Sequence, residues 1–96
     1  MALFIIRVEL RGTPSRDNYN SLHAYMTGQG WSRTISGVGD AGVAKTVNLP
    51  HAVYQGEATP NSPMGLATAL KEAIETRVWK DCIVMAVEAE NWGLSE

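Results

Sequence analysis

Apolar positions alternate from the start of the chain. Phe4, Ile6, Val8 and Leu10 form one unbroken face, while the other begins with Leu3 and Ile5 and turns charged at Arg7, Glu9 and Arg11. Period-two patterning with aromatic and β-branched residues predicts a strand over Ala2–Leu10. A strand this apolar belongs at the centre of a sheet, with one face against helices and the other partly covered. That second face is where a partner or a function is expected.

The period then changes. After the turn Arg11–Ser15, Tyr19, Leu22, His23 and Met26 fall at i, i+3, i+4 and i+7, one side of a helix running Asp17–Met26. Thr13 or Ser15 caps it, with Pro14 suited to the first helical position, and Gly28 and Gly30 stop it. Trp31–Ile35 alternates again as a short second strand. The Gly-rich run Ser36–Ala44 reads as a long hairpin connection or flap, and Lys45–Pro50 could extend either neighbouring strand. His51–Ala58 is a third strand with Ala52, Tyr54, Gly56 and Ala58 on one side. Asn61 or Ser62 caps a second helix begun by Pro63, whose buried stripe is Leu66, Leu70, Ala73, Ile74 and Arg77. Lys71 and Glu75 form an i,i+4 pair on its outer side. Cys82–Ala89 is the last strand, and Asn91–Glu96 is a tail whose Trp92 is a candidate interface anchor.

The order β-α-β-β-α-β predicts an α+β fold of ferredoxin-like type, with two helices on one face of a four-stranded antiparallel sheet and the opposite face bare. At 96 residues the chain is one domain. A core of this size is adequate rather than generous, so covering the bare face in a homodimer would add stability. The single cysteine, Cys82, excludes an internal disulfide and reads as a core thiol. No signal peptide and no apolar run of about 20 residues is present, which makes the cytoplasm the expected location. A net charge of −2 supplies no global attraction for nucleic acid, leaving only a local basic patch as a route to it.

Familiar chemical motifs are absent. The glycines from Gly37 to Gly42 lack the Lys-Ser/Thr of a phosphate loop, Cys and His lack metal spacing, and the RNA-recognition sheet signature does not occur. His23 lies on the apolar stripe of its helix and reads as a satisfied core histidine. His51, following Pro50, is a candidate for proton transfer or phosphate contact. Arg7 and Glu9 project away from the helices, as a solvated face, as an ion pair across a dimer seam, or with Glu9 holding a divalent metal such as Mg²⁺ or orienting water. Asp17 or Asp40 would stand close by. Arg7, Arg11, Arg16 and Arg33 all fall in the first third, and Arg11 and Arg33 together would suit a phosphodiester backbone.

The strand Phe4–Glu9, the segment Tyr25–Ile35 and the Gly-rich hairpin leading to Leu49-Pro50 and Tyr54 together resemble the small ferredoxin-like family of the GhoS antitoxin endoribonuclease. More distantly, the chain resembles the CRISPR-associated and VapD-type endoribonucleases. The resemblance covers most of the chain and implies RNA cleavage in a toxin-antitoxin setting. It places Glu9 where the fold relatives carry an aspartate at the end of the first strand, and it matches Arg11, Arg16 or Arg33 to arginines that handle RNA. The resulting expectation is a cytoplasmic homodimer that binds single-stranded or messenger RNA and cuts it, with Glu9, Arg11, Arg33 and His51 as site residues and Glu9 as metal ligand. The competing expectation is a non-enzymatic homodimeric module that binds a protein or a small ligand.

Overall fold

A computed structural model describes residues 2–38, 44–58 and 62–89 of the chain. The elements are β1 (Ala2–Leu10), α1 (Arg16–Gly28), β2 (Thr34–Val38), β3 (Ala44–Asn48), β4 (Val53–Ala58), α2 (Pro63–Arg77) and β5 (Cys82–Glu88). The result is a small α+β domain around a three-stranded antiparallel sheet in the order β4-β1-β5, with β2 and β3 paired as a separate two-stranded sheet. The residues Gly39–Val43 of the predicted connection, with Asp40, lie outside the described residues, as do Asn61 and the Trp92 tail.

β1 occupies the centre as its pattern requires. Phe4, Ile6, Val8 and Leu10 are buried, and they pack with Leu22 and Met26 of α1 and with Leu70 and Ile74 of α2. Both helices therefore share one side of the sheet. Each such aliphatic side chain removed from water contributes about 1.5–3 kcal/mol, which offsets the weak helix propensity of the Asn- and Ser-rich α1.

Local chemistry sets the helix ends. Ser15, rather than Thr13, is the N-cap of α1; its Oγ accepts from the Asn18 amide, and the Asn18 side chain accepts from the Ser15 amide. Pro14 therefore precedes the helix instead of opening it. Gln29 closes α1, and Gly30 follows with φ +91°, a conformation that favours glycine. Ser62 caps α2 and Pro63 fills its first position, as the sequence predicts. Arg77, expected on the buried stripe, is exposed in the last turn, where a cation suits the carbonyl end. Lys71 and Glu75 pair at 2.7 Å, and both reach the backbone of Cys82, fastening α2 to the start of β5.

The sheet departs from the four-strand expectation at Ser32. Ser32 and Gln55 exchange backbone hydrogen bonds of 2.8 Å, an isolated bridge on the outer edge of β4. Ser32 Oγ then accepts the Thr34 amide at 3.1 Å, offering the backbone an alternative to the ladder. The chain turns away from β4, so Thr34–Val38 pairs with Ala44–Asn48 instead. The predicted second strand is thus displaced towards the C-terminus, and Lys45–Asn48 belongs to the hairpin.

Candidate functional site

The polar chemistry of the helix side gathers at one corner, where β4 begins. β1 pairs with β4 only from Ala2↔Ala58 to Arg7↔Val53. Beyond that, the Val8 amide donates to the Ala52 carbonyl at 3.0 Å, and the Leu10 amide donates to the Tyr19 hydroxyl at 3.1 Å. A phenol from α1 thus satisfies a backbone donor that the ladder leaves behind. Tyr19 and His23 lie one helical turn apart and face the same way.

His51 is not a strand residue. It sits in a turn closed by the Val53 amide on the Pro50 carbonyl at 3.1 Å, followed by Ala52 with φ 57°. A non-glycine residue in that region costs about 1 kcal/mol. The turn leaves the His51 ring exposed, 4.6 Å from the Tyr19 ring and 5.5 Å, edge-on, from that of His23.

His23 itself is buried, and its Nδ1 lies 2.7 Å from the Tyr54 hydroxyl. The Tyr54 phenol, pushed up to about 12 mainly by burial, keeps its proton. We assign Tyr54 as the donor, because an Nδ1–H donor would leave the buried phenol hydrogen without an acceptor among the described residues. The His23 proton then resides on Nε2. Burial first, then the charges of Arg33 and His51, lower the pKa of His23, so its imidazole is held neutral.

Arg33 completes the corner. It follows directly on the Ser32↔Gln55 bridge, and its charge acts on both Tyr54 and His23. It is exposed, makes no ion pair with the described residues, and lines a depression of about 290 Å³ with Asn48 and Leu49.

Of the residues expected to act together, the fold joins Arg33 and His51 and leaves Glu9 and Arg11 elsewhere. Glu9 is exposed on the face away from the helices, opposite Ile83. Arg11 is fastened on the β5 side: its amide donates to the Asp81 carbonyl, and its carbonyl accepts Trp79 Nε1 at 2.7 Å. With β1 and β4 between them, Arg11 and Arg33 do not form one cluster. Among the described residues no three His, Cys, Asp or Glu side chains converge as metal ligands.

The corner contains two tyrosines and a histidine that the sequence did not point to as site residues. The available signal was the i,i+4 spacing of Tyr19 and His23 on one helix face. The described residues include no helix long and apolar enough to cross a membrane. Cys82 is buried, and burial pushes its thiol up, as fits a core residue. A scan against protein-family models and searches of curated proteins and of solved structures find no match.

Proposed function

We propose that the chain is a cytoplasmic, ferredoxin-like RNA-handling protein that binds single-stranded RNA at the Tyr19–His23–Arg33–His51–Tyr54 corner and cuts it without a metal ion. The fourth strand of that fold corresponds, in this reading, to the Ser32 bridge on β4. The observation that carries the reading is the exposed His51 ring set against Tyr19 and His23, with the Arg33 charge beside them. The family likeness in the strand, helix-end and hairpin segments supports the same direction.

The chemistry suits RNA in particular. His51 takes the proton of a ribose 2′-hydroxyl, and the 2′-oxygen attacks the adjacent phosphorus. The P–O5′ bond breaks, and the departing 5′-oxygen is protonated from solvent. The products are a 2′,3′-cyclic phosphate and a 5′-hydroxyl. Arg33 holds the non-bridging oxygens, the Tyr19 ring offers a surface for a base, and the Tyr54–His23 pair positions the His51 ring. Glu9 takes no part.

Binding of a mixed-sequence single-stranded RNA at low and moderate salt tests the reading. Salt-sensitive binding that weakens about tenfold in Arg33→Ala is expected, the loss of one charge-assisted phosphate contact. No binding at low salt, or equal binding by Arg33→Ala, would remove the RNA assignment from this corner.

A further inference from the structure

The side of the sheet opposite the helices carries a second feature. Ile83, Met85 and Val87 of β5 are 47%, 57% and 48% exposed. In register beside them stand Glu9, Arg7 and Ile5 of β1, and Val53 of β4 lies next to Arg7. This face is apolar along β5, carries Arg7 and Glu9 at the centre of β1, and is bordered on β4 by Gln55 and Glu57, which is not the usual alternation of a solvated antiparallel sheet. Arg7 and Glu9 make no ion pair with each other or with any other described residue.

We propose that this face docks on the same face of a second copy of the chain, about a two-fold axis lying between the stacked sheets and crossing β1 at Val8. Such an axis reverses the strand direction and keeps like strands over one another. Arg7 then meets Glu9 of the partner subunit, and Glu9 meets Arg7 of the partner subunit. Because Arg7↔Met85 and Glu9↔Ile83 are neighbours across β1 and β5, the same operation lays Met85 on Ile83 of the partner subunit. The charge pattern is therefore self-complementary about that axis, as an isologous interface requires. Its two central ion pairs fix register, and the Met85–Ile83 contact, made twice, supplies the apolar part of the association, while Ile5 and Val87 fall towards Arg11 and Asp81 of the partner subunit. The interface stands apart from the RNA reading: the corner lies on the helix side and stays open in the dimer.

Sedimentation equilibrium of the full chain tests this, with circular dichroism confirming the fold of each variant. The expected wild-type species has twice the monomer mass of 10.4 kDa. Met85→Lys, an exposed position that tolerates the change in the monomer, is expected to weaken the dimer by at least about tenfold. Arg7→Glu and Glu9→Arg should each weaken it about tenfold, and the double variant should recover to within about threefold of wild type. A wild type that stays monomeric, a dimer indifferent to Met85→Lys, or a double variant no tighter than the singles would overturn the proposal.

Discussion

The Tyr54 hydroxyl lies 2.7 Å from Nδ1 of His23, joining β4 to α1 across 31 positions of sequence inside the core. Removing the phenol leaves a buried imidazole nitrogen without a partner. Tyr54→Phe should therefore destabilise the fold by about 1–3 kcal/mol, the desolvation cost of an unpaired polar group. Urea unfolding of the two proteins measures it. Equal midpoints would mean that the pair holds nothing together.

The same two groups shape the dependence of stability on pH. The folded pKa of His23 is lowered below its ordinary 6.5, so the unfolded chain binds the extra proton first as pH falls. This contribution is complete above about pH 6.5 and is lost as pH drops towards the folded value. Tyr54 runs the other way: its folded pKa is raised from 10.0 to about 12, so its contribution is complete below 10 and is lost between those values. Denaturation from pH 4 to 12 should thus show a plateau with both flanks. In Tyr54→Phe the alkaline flank should be shallower, because the group that titrates there is gone.

Gly56 is the close-approach point of the sheet edge. A Cβ there would meet Trp31 Cε3 at 2.7 Å and the Gly30 carbonyl oxygen at 3.2 Å. The indole is buried in the core, so it cannot simply swing aside. Gly56→Ala should cost about 1–3 kcal/mol through overpacking and should alter the near-ultraviolet circular dichroism of Trp31. An unchanged spectrum and unchanged stability would show that the edge is looser than its contacts imply.

Much of the framework was written in periodicity. β1 and β5 announced themselves through apolar runs, and both helices through 3.6-residue spacing bounded by Ser, Pro and Gly. The fork at Ser32 was not legible, because it is marked by side-chain hydrogen bonds among Ser32, Thr34 and Gln55, while alternation through Trp31–Ile35 continues regardless. The hairpin register was hidden for a related reason: Gly-rich and mixed polar segments carry no face to orient them. At the corner, His51 and Arg33 could be singled out as charged or titratable residues near loops. Their neighbours could not, since the His23–Tyr54 contact depends on how α1 crosses β4. Glu9 and Arg11 looked equally suitable along the chain, and what separates them from Arg33 is the opposite sheet face for Glu9 and the order β4-β1-β5 for Arg11.

The most direct test of RNA chemistry at this corner is cleavage of a single-stranded RNA in excess EDTA, comparing wild type with His51→Ala. The account predicts products ending in 2′,3′-cyclic phosphate from the wild type. It also predicts a fall of about 10²–10⁴-fold in rate for the variant, the usual worth of a positioned proton acceptor. No product from the wild type, or equal rates from the two proteins, would contradict it.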